Sequence, residues 1–210
     1  MQIDISDARV SFGSRVVFTG MTATFESGVI TALVGPSGSG KSTLLAAMAG
    51  YQQLDRGDIS YRNGERSLSP DSGLIAWVPQ GSNALGTRTA LDNVMIAPLS
   101  EGRAPDDARE VATRALVDVG LGDRADQRVR QLSGGELQRV SFARALASSK
   151  PIIFADEPSA GLDGANTELL GALLAGLSSH ATIVVATHDP ILIDAAEAVV
   201  RLRSEHIHAP

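Results

Sequence analysis

A nine-residue segment, "GPSGSGKST" at positions 35–43, constrains the fold more than any other part of the sequence. It matches the pattern G-x-x-x-x-G-K-[ST], follows the apolar run "VITALV" and precedes the helix-like "KSTLLAAMAG". A buried strand, a glycine loop and a helix in this order are the context that a phosphate-binding loop requires. The segment therefore predicts an α/β fold with a phosphate site between its first buried strand and the next helix.

Each residue type in this loop has a role in holding phosphate. Glycines let the backbone curl until its N–H groups point at phosphate oxygens, and the helix adds its positive dipole end. Lys41 brings a mobile positive charge to the β- and γ-phosphates, while the Ser42 hydroxyl can ligate Mg²⁺. A glycine-rich turn that binds nothing is the alternative, but one of only two lysines in the chain occupies the phosphate position. The predicted loop comprises Gly35, Pro36, Ser37, Gly38, Ser39, Gly40, Lys41, Ser42 and Thr43.

Hydrophobic periodicity places elements of both kinds around the loop. Alternating segments in the first 25 residues and "GDISYRNG" predict an antiparallel sheet, the latter ending in an Asn-Gly turn. The pattern is helical from about Arg88 to Ser149. "PIIFAD" and "ATIVVATHD" are compact apolar strands typical of parallel sheets, joined by the crossover helix "GANTELLGALLAGL". We expect one domain over 1–210, with a core and antiparallel β part at 1–81 and 136–210 and a helical subdomain at about 82–135.

Composition excludes several classes of protein. The chain has 210 residues, a formal charge of −6 and no cysteine, which rules out disulfides, thiolate metal sites and cysteine nucleophiles. The acidic balance does not favour nucleic acid as a partner. No signal peptide is recognisable, and no apolar run approaches the roughly 20 residues of a membrane span. These features predict a soluble, cytoplasmic protein.

Two carboxylates follow the strand "PIIFAD", where open α/β sheets place their ligands. Asp156 at this position is expected to hold Mg²⁺, directly or through water. Glu157 is expected to act as a general base or to orient a water near the γ-phosphate. The alternative is that "DEP" only caps the strand in a turn.

Gln80 and His188 also follow strand-like segments, "WVPQ" and "IVVATH". Gln80 could contact Mg²⁺ or the attacking water, and His188 could donate to the γ-phosphate. Either could instead be an ordinary surface or capping residue.

The order of all these motifs, with "LSGGE" at 132–136 and "SAGLD" at 159–163, resembles the nucleotide-binding domain of an ABC transporter across almost the whole chain. The resemblance implies ATP and Mg²⁺ as cofactors, Gln80 as the Mg²⁺-sensing residue that also contacts a membrane subunit, and Asp156 as the Mg²⁺ carboxylate. It also implies Glu157 as catalytic base, Asp163 as the link between two sites and His188 as the γ-phosphate switch. Phe12 matches the aromatic that stacks on adenine, the alternative being a plain core aromatic.

The resemblance further implies a head-to-tail homodimer with ATP at its interface. The γ-phosphate would be bound by Ser133, Gly134, Gly135 and the helix from about Glu136 of the second copy. The helical subdomain and Gln80 would contact an integral membrane permease, which places the chain on the inner face of the cell membrane. The chain ends 22 residues after His188, so we expect no C-terminal regulatory domain and no fused membrane domain.

Within the family, "TALDNVMIAPL", "ADEP" and "LSGGELQRV" are most similar to the small ATPases of lipoprotein release and macrolide efflux. "SAGLD" and the short interval between Lys41 and Gln80 depart from that group, so the cargo and the direction of transport stay open. A non-transport ABC ATPase, acting in iron–sulfur assembly or cell-division regulation, is the alternative function. A binding module without turnover would lack a residue such as Glu157.

Overall fold

The computed structural model describes residues 1–177 and 181–202. Their secondary structure confirms the α/β prediction. In chain order the elements are β1 (Gln2–Phe12), β2 (Arg15–Phe25), β3 (Ile30–Val34), α1 (Lys41–Met48), β4 (Arg56–Asn63), β5 (Arg66–Leu68), β6 (Ile75–Val78), α2 (Ala90–Ser100), α3 (Pro105–Asp118), α4 (Gly134–Ala147), β7 (Ile152–Asp156), α5 (Gly164–Leu177), β8 (Thr182–Thr187), α6 (Pro190–Asp194) and β9 (Ala198–Arg201).

Two separate sheets form the scaffold. The first is antiparallel, with the strand order β2-β1-β4-β5, and the predicted Asn-Gly turn joins β4 to β5. The second has the order β6-β7-β8-β3-β9, and all its neighbouring strands are parallel. Because parallel strands point the same way, the carboxyl ends of β3, β6, β7 and β8 share one edge. The phosphate loop, Gln80 and His188 follow these ends, and Asp156 is the last residue of β7.

The parallel sheet is covered on both faces, so its strands are apolar on both sides. In β7, Ile152 and Phe154 face a core shared with α1 and the antiparallel sheet. Ile153 and Ala155 face a second core shared with the helices of the other layer. This three-layer packing holds the carboxyl edge of the sheet in place beneath the antiparallel sheet.

Helices α2 and α3 lie between β6 and β7 in the chain, where the helical pattern is predicted. Helix α3 begins with Pro105 followed by two aspartates, as expected at a helix N-terminus. Strand β9 and the short helix α6 are not predicted. Among residues 1–177 and 181–202, no helix has both the length and the apolar character needed to span a bilayer.

Candidate functional site

The phosphate loop connects the end of β3 to the start of α1. Gly38 and Gly40 have φ angles of 78° and 96°, which glycine adopts at little cost. A Cβ atom at Gly40 would lie 2.5 Å from Cγ1 of Val17, so this position also needs glycine for space. Gly40 is the N-cap of α1 and offers no side chain to cap it. The amides of the first helical turn therefore stay open to an anion.

Lys41 is almost fully buried, with 6% of its side chain exposed. Its ammonium group donates to the carbonyl oxygens of Gly35 at 2.8 Å and Pro36 at 3.4 Å. It also lies 3.0 Å from Oε1 of Glu157. The loop thus folds around its own lysine and directs it toward the end of β7.

Ser42 and Asp156 form the second contact between the loop and β7. The Ser42 hydroxyl donates to Oδ1 of Asp156 at 3.0 Å. Burial raises the pKa of Asp156; the Ser42 hydrogen bond opposes this rise, and the nearby Glu157 charge adds to it. A hydroxyl and a carboxylate meet here as a pair of hard oxygen donors.

Glu157 has an unusual backbone conformation for a non-glycine residue, with φ of 45°. Its N–H donates to the carbonyl of Ala186 on β8 at 2.8 Å, which extends the ladder past the end of β7. Its carboxylate lies between two groups: Oε1 faces Lys41, and Oε2 is 3.0 Å from Nδ1 of His188. The conformation that directs this side chain is strained and is held by the surrounding sheet, which is common at functional sites.

These groups open into a cavity of about 470 Å³, which is within the size range of small-molecule sites. Phe12 is 55% exposed on its wall, so it is not a core aromatic. Three lining residues are not predicted from the sequence: Arg15, Val17 and Ala160. The predicted residues that line the cavity are Phe12, Ser37, Gly38, Gly40, Lys41, Ser42, Thr43, Gln80, Glu157 and His188. Gly35, Pro36, Ser39 and Asp156 lie beside them in the loop and at the end of β7.

The segment around Ser133 is at the start of α4. The helix begins at Gly134, two residues earlier than the predicted start at about Glu136. The Ser133 hydroxyl accepts from the Glu136 N–H at 3.3 Å, and the Glu136 carboxylate accepts from the Ser133 N–H at 2.8 Å. That backbone hydrogen bond is the main reason why the pKa of Glu136 is lowered. The two reciprocal bonds form a capping box.

Asp163 lies beside the same helix start. Its carboxylate accepts from both the backbone N–H and the side-chain amide of Asn166 at 2.9 Å. Asn166 in turn is so close to Gly135 that a Cβ atom there would lie 2.4 Å from its Oδ1. Five of the predicted residues are not among the described residues that line the cavity: Ser133, Gly134, Gly135, Glu136 and Asp163. The structure therefore groups the predicted residues into two sets.

The loop after Gln80 is braced against the helical layer. Arg144 on α4 donates a hydrogen bond to the side chain of Asn83. Asn93 on α2 is fully buried and bonds both the N–H and the carbonyl of Leu85. Gln80, at the cavity, is thus three residues before a position that α4 holds and five residues before one that α2 holds.

The sequence profile of the family described as "ABC transporter" matches residues 18–160 of this chain. The chain belongs to the ABC transporter family. This confirms both the resemblance and the fold class, and the chain is an ATPase of that family. The chain is therefore an ATP-binding cassette.

Two relatives and one solved structure show how far the similarity extends. The lipoprotein-releasing system ATP-binding protein LolD of Porphyromonas gingivalis is 36% identical, over 97% of this chain and 97% of LolD. The macrolide export ATP-binding/permease protein MacB of Rhodopirellula baltica is 38% identical over 94% of this chain, which spans only 30% of MacB. The dimeric structure of MJ0796, a bacterial ABC transporter cassette, has a TM-score of 0.81 at 29% identity and covers 96% of this chain and 94% of that one.

The polar groups of the cavity fit both a nucleoside triphosphate and Mg²⁺. Open helix amides and Lys41 suit phosphate oxygens, which only accept hydrogen bonds. The described residues contain no cluster of three or more His, Cys, Asp or Glu side chains that could hold a metal by themselves. A single carboxylate with a hydroxyl beside it is the arrangement expected for Mg²⁺, which is usually held by one or two carboxylates together with substrate phosphates.

Proposed function

We propose that this chain is the ATP-hydrolysing motor subunit of a transporter, of export, efflux or lipoprotein-release type. It dimerises head to tail on ATP and drives a separate membrane subunit. The observation that carries the proposal is the division of the site residues. Lys41, Ser42 and Glu157 share one cavity, whereas Ser133 and its neighbouring glycines lie outside it. A second copy of the chain supplies the missing half.

In the first half of the site, Phe12 stacks on the adenine and the loop from Gly35 to Thr43 holds the phosphates. The exposed aromatic ring and the open amides support this arrangement. Ser42, Asp156 and Gln80 would hold Mg²⁺, which neutralises charge on the phosphate oxygens when bound.

Glu157 activates the attacking water. Its carboxylate takes a proton from the water while the oxygen bonds to the γ-phosphorus and the bond to the bridging oxygen of ADP breaks. Lys41 and His188 lie 3.0 Å from its two oxygens, and these contacts orient it. His188, with 74% of its side chain exposed, can also donate to the γ-phosphate.

The second half of the site comes from the partner subunit. The Ser133 hydroxyl proton and the amides of Gly134 and Gly135 donate to the γ-phosphate, and Glu136 contributes by holding Ser133. Asp163 connects the two halves through Asn166, which contacts Gly135. Because ATP is shared across the interface, its binding favours the dimer and its hydrolysis releases it.

The membrane subunit contacts the loop after Gln80 and the helical subdomain at about 82–135, so the chain lies on the cytoplasmic face of the cell membrane. Similarity to LolD along the full length of both proteins supports this assignment. Purification in mild detergent should recover an integral membrane protein with the chain. Recovery with soluble proteins alone would contradict the transport role.

The decisive variant for hydrolysis is Glu157→Gln. It should bind ATP like the wild type, lose hydrolysis by on the order of 1,000-fold, and remain a dimer in ATP but not in ADP. ATPase assays and light scattering measure the two effects. Fast hydrolysis by this variant would refute the role of Glu157, and a monomer in ATP would refute the shared site.

A further inference from the structure

The hairpin of β1 and β2 forms part of the cavity wall. Only Gly13 and Ser14 separate the two strands, and Phe12 pairs directly with Arg15. Side chains that pair directly across antiparallel strands point to the same face, as do residues two apart along one strand. Phe12, Arg15 and Val17 all line the cavity, as this geometry requires. Arg15 is therefore next to both Phe12, across the hairpin, and Val17, along β2.

Val17 marks where this wall meets the phosphate loop. Its Cγ1 would be 2.5 Å from a Cβ atom at Gly40, so β2 packs directly against the end of the loop. Arg15 is two residues further along the strand, about 7 Å away. The long side chain of an arginine spans that distance, so the guanidinium can reach a phosphate held by the loop.

The charges of the cavity wall leave Arg15 without a partner. The cavity is lined by three charged residues, Arg15, Lys41 and Glu157. Lys41 and Glu157 form an ion pair at 3.0 Å. The side chain of Arg15 has no carboxylate within ion-pair distance and no hydrogen bond among residues 1–177 and 181–202. By contrast, Arg56 and Arg62 on the same antiparallel sheet pair with Asp7 and Asp4.

We propose that Arg15 is a nucleotide-binding residue whose guanidinium contacts phosphate oxygens at the α- and β-positions. This inference rests on the proposed function. Guanidinium carries only donors in a planar fork, and phosphate oxygens only accept, so the two groups match in charge and geometry. The competing contact is with the base, since arginine can also donate to O6 and N7 of guanine.

The test is binding of ADP and GDP to the full chain, measured by calorimetry for wild type, Arg15→Gln and Arg15→Lys. Loss of one charge-assisted hydrogen bond should weaken both nucleotides by roughly 10-fold in Arg15→Gln. Arg15→Lys keeps the charge and should lose less. The matched control is Arg66→Gln on β5, an exposed arginine outside the cavity wall, which should bind like wild type.

A salt titration separates a phosphate contact from a merely structural role. The affinity of Arg15→Gln for ADP should fall less steeply with NaCl than that of wild type, because one charge interaction is missing. Unchanged melting temperatures for Arg15→Gln and Arg66→Gln show that both variants fold.

An equal loss for ADP and GDP with a shallower salt dependence supports the proposal. A loss confined to one nucleotide would show that Arg15 contacts the base, and unchanged affinity for both would show no contact; either result overturns the proposal. If wild type hydrolyses ATP and Glu157→Gln does not, the proposed function stands whatever Arg15→Gln does. If wild type fails to bind ADP, both fall.

Discussion

Helices α1 and α4 both begin at glycine-containing segments, yet their N-termini differ in charge and in capping. Gly40 leaves the first turn of α1 uncapped, and Lys41 adds a positive charge there. At α4 the Ser133–Glu136 capping box satisfies two amides, those of Ser133 and Glu136, and places a carboxylate in the first turn. An anion gains from a helix dipole but is repelled by a carboxylate at the same end. The start of α1 can hold a phosphate alone, whereas the start of α4 is a weaker donor.

The surroundings of the two helix N-termini also favour phosphate binding at α1 over α4. The α1 terminus opens into the cavity with Glu157 and His188, but the α4 terminus is on another part of the surface. A weak anion site remote from Asp156 and Glu157 has little use within one chain. It becomes useful if it completes the phosphate site of a second copy. The comparison therefore favours one complete site assembled from two unlike halves.

The phosphate loop and the start of α1 form one half of the site (the α1 half), and the start of α4 forms the other (the α4 half). Removing the positive charge of the α1 half should have the largest effect on nucleotide binding. Lys41→Ala should lower the affinity of the chain for ADP and ATP by roughly 100-fold, because it deletes a charged contact and leaves Oε1 of Glu157 without its ion-pair partner. Calorimetry measures the loss. Lys150→Ala is the control, since the other lysine bonds Ile75 outside the cavity, and it should bind normally. Equal affinities for Lys41→Ala and wild type would contradict the assignment of nucleotide binding to the α1 half.

Changing the α4 half should leave ADP binding by the monomer intact. Ser133→Ala should bind ADP like wild type, lose ATP hydrolysis by about 10- to 100-fold, and lose about 1 kcal/mol of stability with its cap. Thr89→Ala removes a similar capping box from α2 and is the matched control for stability. It should be destabilised to a similar extent but keep hydrolysis. Weaker ADP binding by Ser133→Ala would mean that both halves act within one chain.

The two glycines of the α4 half should separate stability from function. A Cβ atom at Gly135 meets Asn166, whereas one at Gly134 meets nothing within 4 Å. Gly135→Ala should therefore lower the melting temperature, by a free energy of about 1 to 3 kcal/mol. Gly134→Ala should melt like wild type but lose ATP-dependent dimerisation, because the methyl group would meet the partner's phosphate. Normal dimerisation of Gly134→Ala would argue against this interface.

The smallest effect is expected from Glu136→Gln, which keeps the capping geometry and removes the charge. Because the pKa of Glu136 is lowered on folding, its carboxylate stabilises the chain above the ordinary glutamate pKa and loses this effect as pH falls through the folded value. The variant should lose about 0.3 to 1 kcal/mol at neutral pH, and this difference should vanish in acid. Its ATP dimer should be a few-fold tighter. Thermal unfolding against pH and dimer titration measure both effects.

Local sequence patterns predict most of the fold and the loop because these elements depend on short-range signals. Glycine spacing with Lys41 and Ser42 predicts the loop, and apolar runs predict β3, β7 and β8. The alternation of β7 between two cores follows from its burial on both faces. Strand β9 is missed because it is only four residues long and half-exposed, so its pattern is weak.

The cavity wall could not be predicted in full because it depends on pairing between distant residues. Arg15 and Val17 enter it through the register of the hairpin, although the short "FGSR" turn is a signal that places Phe12 opposite Arg15. The contacts of Glu157 with Lys41 and His188 depend on its left-handed conformation and on the order of β3, β7 and β8 in the sheet. Neither is encoded in a local pattern.

The most direct test of the two-half site is complementation between two inactive variants. Lys41→Ala and Ser133→Ala each damage both sites of a homodimer, but a mixed dimer contains one site with an intact Lys41 and an intact Ser133. If the halves come from different chains, an equal mixture should recover ATPase activity toward about a quarter of the wild-type rate. If the mixture is no more active than the two variants measured separately, the shared site is wrong.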